Sequence, residues 1–127
     1  MSILAHGIDL IDCKRIADVL RRHGEQFIVR VLTPAERDIA TRFRHPVTFV
    51  AGRWAAKEAV LKMLGTGWRG RILWTDMEVL PDALGRPVVT LSGETARLAA
   101  EKGITRIMLS ITHIKSHAAA SVIGTDG

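Results

Sequence analysis

The longest regular pattern of apolar and polar residues in the chain runs from Phe49 to Gly67. Placed at about 100° per residue, its apolar positions cover most of a helical wheel. One wide face holds Ala55, Ala56, Ala59, Val60, Met63 and Leu64, and a second apolar patch holds Trp54 and Leu61. A helix with so much apolar surface is expected to lie inside the molecule. Gly65 predicts its end, because glycine readily adopts the left-handed conformation found just past a helix.

Two polar seams remain on this helix, Arg53 with Lys57 and Glu58 with Lys62. A carboxylate on a buried helix must be paired, hydrogen-bonded or bound to a cation, because burying it bare is very costly. The simplest interpretation is a helical ion pair between Glu58 and Lys62, which are four residues apart, worth about 0.2–0.5 kcal/mol. A functional role for this carboxylate depends on what the rest of the chain supplies.

The other elements mix strands and helices without a regular β-α-β alternation, which favours the α+β class. An apolar run predicts a buried strand over 3–11, interrupted by Asp9. That carboxylate marks either a solvated strand end or a buried group that needs a partner. Asp12 predicts a helix cap, and Thr33 with Glu36 forms a capping-box signature. Further helices are expected at 13–23, 34–44 and 93–102, a short turn or helix at 27–32, and further strands at 76–80, 87–91, 106–113 and 117–124.

Length and composition predict one globular domain over residues 1–127. Apolar residues make up 47% and charged residues 24%, which argues against a disordered chain. No apolar run is long enough to cross a bilayer, and the first residues do not resemble a secretory signal. Cys13 is the single cysteine, so an internal disulfide is excluded. A reducing compartment, the cytoplasm by default, is therefore expected.

The net charge of +5 predicts a polyanionic partner: nucleic acid, a phosphorylated cofactor or an acidic protein. Aromatic residues are only 5%, which argues against a surface that stacks single-stranded bases. Arg15, Arg21 and Arg22 lie largely off the apolar stripe of the helix at 13–23. They form either a solvated face or a docking surface for an acidic partner.

Four polar features fall at the edges of buried elements: Asp9, Glu58 with Lys62, the loop Gly65–Thr66–Gly67, and His113–Ile114–Lys115. Two carboxylates are a plausible Mg²⁺ site, because Mg²⁺ prefers few protein oxygens and takes the rest from water and phosphate. Two glycines around Thr66 let the backbone approach a phosphate closely. These features predict a site for a phosphorylated ligand.

Four motifs, which span nearly the whole chain, give this sequence a family resemblance. They are Gly7-Ile8-Asp9 with Arg15-Ile16, the segment Arg30 to Glu36, the segment Arg53 to Lys62 with Gly65-Thr66-Gly67, and Ser110 to Lys115 before Ala118-Ala119-Ala120. In this order and spacing the sequence resembles the holo-[acyl-carrier-protein] synthase family, the small phosphopantetheinyl transferases. The third motif is the most specific. Asp12, Trp54 and Ile114 depart from the residues common in the family.

The resemblance implies a small antiparallel sheet packed around a long central helix. It implies an enzyme of fatty-acid biosynthesis that moves the 4′-phosphopantetheine arm of coenzyme A to a serine of apo acyl carrier protein, releasing adenosine 3′,5′-bisphosphate. By match to the family motif, Asp9 and Glu58 hold Mg²⁺ and Lys62 contacts the reacting phosphate. The coenzyme A contacts implied are Arg53, Lys62, Gly65, Thr66, Gly67 and His113. The family is a homotrimer with sites between subunits.

Several alternatives stay open at the level of sequence. Glu58 takes the serine proton directly or through a water on the metal. Arg15, Arg21 and Arg22 are candidates to attract the acidic carrier protein. A basic nucleic-acid-binding domain explains the charge but not paired acids on a buried helix, so neither nucleic acid nor membrane is expected as a partner. A coenzyme A-dependent acetyltransferase needs no metal, so chelation with EDTA discriminates it.

Overall fold

The computed structural model describes residues 1–127 as five helices, one short 3₁₀ turn and five strands. The helices are α1 (Cys13–His23), α2 (Glu25–Val31), α3 (Pro34–Ala40), α4 (Val47–Leu64) and α5 (Gly93–Glu101). The strands are β1 (Ile3–Asp12), β2 (Met77–Pro81), β3 (Pro87–Leu91), β4 (Arg106–His113) and β5 (His117–Thr125). A three-stranded antiparallel sheet has the order β1-β5-β4, and β2 and β3 form a separate hairpin. The predicted α+β class and the sheet around a central helix are confirmed.

Helix α4 forms the centre of the core, as its apolar circumference predicts. Val50, Ala51, Ala55 and Val60 are among its fully buried side chains. It packs on one face of the three-stranded sheet, with α1 against its side. The predicted end at Gly65 is confirmed: this residue has φ 78° and donates its N–H to the carbonyls of Leu61 and Lys62.

Strand β1 approaches α4 so closely at Gly7 that no side chain fits there. A Cβ on this residue would lie 1.9 Å from the Ala59 carbonyl oxygen and 2.8 Å from the Met63 amide nitrogen. Both atoms belong to the helix backbone, which cannot yield as a flexible side chain can. Gly7 therefore fixes the spacing between the strand that carries Asp9 and the helix that carries Glu58.

Substituting Gly7→Ala is expected to lower the free energy of unfolding by about 3 kcal/mol or more, because the added methyl overpacks the strand–helix contact. Urea unfolding followed by circular dichroism measures this loss. Gly52→Ala, in α4 itself, is the matched control, since its Cβ meets only the Ile111 side chain, at 3.2 Å. Equal stability of the two variants would contradict the close approach.

The second face of the three-stranded sheet is open. Every other residue of β1 points away from α4, so Leu4, Ile8 and Leu10 are exposed, with Ile8 57% and Leu10 66% accessible. Met108 of β4 is exposed on the same side by the same alternation. The prediction that the strand at 3–11 is buried is therefore wrong for half of its side chains within this chain.

A column of aromatic rings joins α2, α4 and the segment that follows the loop after α4. The Phe27 and Trp54 rings have centroids 5.4 Å apart, Trp54 and Trp74 4.4 Å, and Trp74 and Trp68 6.0 Å with nearly parallel planes. The Arg30 guanidinium lies 5.4 Å from the Trp68 ring centroid. The column ties α2 and the loop after Gly67 to the central helix.

Two of the predicted helix starts are confirmed by capping hydrogen bonds, while one helix end and one cap differ from the prediction. Asp12 caps α1 by accepting from the Lys14 amide at 2.9 Å, and the Thr33–Glu36 capping box is present. The helix predicted to reach Arg44 ends at Ala40, and Ser92 makes no side-chain cap hydrogen bond to α5. None of the helices combines the length and apolarity that a membrane span requires.

Candidate active site

Asp9 lies inside strand β1 rather than at its end. The strand continues to Asp12, so the interpretation of Asp9 as a solvated strand end is wrong. Its side chain shares the helix-facing side of β1 with Gly7 and Ile11, and it is only 12% exposed. Oδ1 accepts a hydrogen bond from Lys62 Nζ at 2.9 Å, while Oδ2 is buried with no hydrogen-bond partner. An unsatisfied buried carboxylate oxygen is costly unless a ligand completes it.

Glu58 faces the same place from α4. Burial raises the pKa of Glu58, the Asp9 charge raises it further, and the charges of Lys62 and Arg15 act in the opposite direction. Two carboxylates therefore repel each other across the strand–helix contact. The Lys62 ammonium donates to Asp9 on strand β1. It does not form the helical ion pair with Glu58 that the spacing of the two residues suggested.

The residues present fit a divalent cation with oxygen ligands. Asp9 supplies an unpartnered oxygen, Glu58 a second carboxylate, and their mutual repulsion would be relieved by a cation between them. The structure has no cluster of three or more His, Cys, Asp or Glu side chains that could hold a metal ion. A two-carboxylate set matches Mg²⁺, which leaves most coordination positions to water and substrate phosphates.

The loop after α4 starts three residues beyond Lys62. Gly65 and Gly67 have φ angles of 78° and 63°, and a Cβ at either would meet nothing within 4 Å. Thr66 donates its N–H to the Leu61 carbonyl, which folds the loop back on the helix end. The glycines thus serve the turn itself and leave open space beside the lysine, where a ligand could approach the backbone.

Arg53 and His113 line a different cavity of about 250 Å³. The Arg53 guanidinium carbon lies 4.4 Å from the Phe49 ring centroid, and Arg53 Nε is buried with no hydrogen-bond partner. Burial lowers the pKa of Arg53, and the Glu36 charge opposes this. A desolvated guanidinium at a cavity is suited to bind an anionic group.

The predicted site residues therefore form two groups rather than one. Arg53 and Glu58 are five positions apart on α4, which places them about 140° apart around the helix axis. Asp9, Glu58, Lys62 and the loop 65–67 belong to one side, and Arg53 with His113 to another. The sequence pattern did not indicate the other residues of the second cavity, which are Phe43, His45, Thr48, Phe49, Gly52 and Ile111. The spacing of Phe49 four residues before Arg53 was the available signal for a cation–π contact.

The basic face of α1 is exposed and borders an apolar cavity that was not predicted. Arg15 lines this cavity of about 150 Å³ together with Ile11, Ile16, Val19, Phe27 and Trp54. Arg21 forms an ion pair with Asp18 at 3.0 Å, while Arg15 and Arg22 form no ion pair. A cavity of this kind beside the unpaired Arg15 suits an acidic partner with an apolar side chain to insert.

Comparison with known proteins shows which family the sequence matches. Residues 5–121 match the model of the 4′-phosphopantetheinyl transferase superfamily. The holo-[acyl-carrier-protein] synthase of Desulforudis audaxviator is 46% identical over 121 residues, which cover 95% of this chain and 92% of that protein.

Solved structures share the fold over nearly the full length. The holo-[acyl-carrier-protein] synthase of Neisseria meningitidis superposes with a TM-score of 0.89 at 33% identity, covering 98% of this chain and 99% of that one. The Bacillus anthracis enzyme, in complex with CoA (3′,5′-ADP), superposes with a TM-score of 0.80 at 36% identity, with 96% of each chain covered.

Proposed function

The chain belongs to the 4′-phosphopantetheinyl transferase superfamily, and we propose that it acts as an Mg²⁺-dependent holo-[acyl-carrier-protein] synthase. It transfers the 4′-phosphopantetheine arm of coenzyme A to a serine of apo acyl carrier protein. The Bacillus anthracis relative in complex with CoA (3′,5′-ADP) supports coenzyme A as the donor. The chain acts as one domain, in the cytoplasm, and serves fatty-acid biosynthesis.

A single observation carries the metal assignment: the buried Asp9 Oδ2 has no partner and lies on a strand that faces Glu58 and Lys62. Mg²⁺ held by Asp9 and Glu58 would neutralise pyrophosphate charge. Lys62, which is exposed on the ligand side, would contact the phosphate under attack. Its ammonium is already held near Asp9 by the 2.9 Å hydrogen bond, so little reorganisation is needed when charge develops.

In the transfer, the serine oxygen of the carrier forms a bond to the β-phosphorus of coenzyme A. The phosphorus–oxygen bond to the leaving group breaks, and adenosine 3′,5′-bisphosphate departs with the electron pair. Glu58 accepts the serine proton, directly or through a water. A carboxylate positioned within reach of the hydroxyl can act as a general base. Positioning and charge neutralisation supply most of the rate enhancement in such reactions.

Mass spectrometry tests the proposed activity. The protein is incubated with coenzyme A, Mg²⁺ and an apo carrier protein, and the carrier is expected to gain the mass of one phosphopantetheine. EDTA is expected to prevent the gain, and Mg²⁺ in excess to restore it. An unmodified carrier under all conditions would refute the function, and transfer in EDTA would refute the metal requirement.

We also propose that the active site is completed between subunits of a homotrimer. Two features support this: the candidate coenzyme A residues lie on two sides of α4, and the open sheet face exposes Leu4, Ile8, Leu10 and Met108. Several large apolar side chains exposed on one face of a sheet favour an interface there. A neighbouring chain would then bring its Arg53 and His113 to the Asp9–Glu58 side.

Ile8→Glu is expected to dissociate the trimer, because a charge in the centre of the apolar face would be buried without a partner. Sedimentation velocity measures the mass, and transferase activity is expected to fall with it. Leu73→Glu is the matched control, since Leu73 is equally exposed, at 58%, in a turn remote from the sheet face. A trimeric and active Ile8→Glu protein would exclude this face as the interface.

The carrier protein docks, on this proposal, against the basic face of α1 and the cavity between Ile16 and Trp54. Arg22→Glu is expected to slow association about tenfold at low salt and to flatten its salt dependence, because the exposed charge acts by steering. Stopped-flow binding of apo carrier measures the rate. Lys102→Glu, an equal charge change just after α5, is the control. Unchanged kinetics of Arg22→Glu would indicate a merely solvated face.

A further inference from the structure

A fully buried ion pair between Glu36 and Lys57 lies next to the candidate site without being part of it. Both side chains have 0% exposure. Lys57 Nζ donates to Glu36 Oε1 at 2.7 Å and to the Val31 carbonyl at 2.5 Å. Lys57 directly precedes Glu58 on α4. The pair is thus attached to the helix one residue away from the proposed metal ligand.

The Glu36 carboxylate connects four segments of the chain. Its Oε1 accepts the Thr33 N–H at 2.8 Å, and its Oε2 accepts the Val79 N–H at 2.8 Å. With the Lys57 contacts, α4 is joined to the end of α2, the start of α3 and strand β2. Each oxygen of the carboxylate has at least one partner, so the network is satisfied on the acid side.

Stability alone is a weak reason for such a pair. The cost of removing two charges from water often exceeds their attraction, and apolar replacements are then neutral or stabilising. Burial lowers the pKa of Lys57, and the charge and hydrogen bond of Glu36 oppose this. A role in fixing one arrangement of the core is the best-attested use of buried polar pairs.

One face of helix α4 is built from small residues, and there the packing of side chains alone constrains the rotation of the helix least. Ala51, Gly52, Ala55, Ala56 and Ala59 are all fully or almost fully buried, and apolar residues surround the helix. These small side chains cover about 140° of the helix circumference, and on that face they discriminate less between neighbouring rotations than large side chains would. Glu58 and Lys62 face Asp9 at only one of these rotations.

We propose that Glu36 and Lys57 are positioning residues, which set the rotation of α4 so that Glu58 and Lys62 face Asp9. They touch neither substrate nor metal, and act through the helix. The proposal rests on the proposed function, because the geometry it protects is that of the Mg²⁺ and phosphate site.

The test compares a charge-free pair with a stability-matched control. Glu36→Gln with Lys57→Met removes both charges, so that no unpaired ion stays buried. Val89→Ala, a core truncation on β3, is the control, and both proteins are assayed well below their melting temperatures. Mn²⁺ is the metal probe, and its affinity in the presence of coenzyme A is measured by electron paramagnetic resonance. Glu36→Gln with Lys57→Leu, which likewise leaves no unpaired ion buried, is the second variant should the first fail to fold.

The double variant is expected to bind Mn²⁺ about tenfold more weakly than the control and to lose about tenfold in kcat, as supporting residues around metal ligands commonly do. Mn²⁺ affinity and kcat equal to those of Val89→Ala would overturn the positioning role, while the function would stand. If the wild-type protein bound no Mn²⁺ and transferred no phosphopantetheine, the function itself would fall, and the positioning role with it.

Discussion

Asp9→Asn and Glu58→Gln are each expected to lower kcat by about a thousandfold or more, which corresponds to about 4 kcal/mol of transition-state stabilisation. Each change removes one negative charge and keeps the size of the side chain. On the proposed function the expected loss has one cause: a single carboxylate would no longer hold the cation beside the pyrophosphate. Transfer to apo carrier protein, followed by mass spectrometry, measures kcat. Near-normal turnover in either variant would refute the metal assignment.

Stability separates this loss of function from a loss of fold. The folded-state pKa of Glu58 is raised, so its stabilising contribution is present at low pH and is lost as the pH rises through that pKa. At pH 7, which lies above the ordinary pKa of a glutamate, this contribution is reduced or lost when no metal is bound. Glu58→Gln is expected to have a higher melting temperature than the wild type in EDTA at pH 7. A lower one would indicate a structural role.

Lys62→Ala is expected to lower kcat about a hundredfold and to change the KM for coenzyme A much less. The reason is that, in the proposed role, the ammonium would act on charge that develops during the transfer. Steady-state kinetics at saturating Mg²⁺ separates the two constants. Lys102→Ala, which removes a lysine just after α5, is the control. A defect confined to KM would argue that Lys62 only binds the cofactor.

Elements with complete local signals could be predicted from the sequence. The central helix follows from its apolar wheel and from Gly65, and α1 and α3 begin at the capping residues Asp12 and Thr33. The short α3 was overestimated because no glycine or proline stands between Ala40 and His45 to mark its end. The starts of α1 and α3 depend on capping side chains that are visible in the sequence. The end of α3 depends on tertiary packing, which is not.

Long-range arrangements could not be predicted. Glu36 has a full local explanation in its capping box, so nothing in the sequence indicated its pair with Lys57, 21 residues away. The apolar run of β1 has the same appearance whether a helix or another subunit covers Ile8. The helical wheel predicts that Arg53 and Glu58 lie on different sides of α4. That this separates the candidate site residues into two groups could be seen only with the sheet and the loop in place.

The aromatic column gives this chain a built-in optical reporter. All three tryptophans, Trp54, Trp68 and Trp74, belong to it. Trp54 borders the cavity beside α1, and Trp68 follows directly on the glycine loop. Quenching or a wavelength shift of the tryptophan emission would therefore report a ligand bound at the cavity beside α1 or at the glycine loop. Loss of the signal in Trp68→Phe would assign it to the loop.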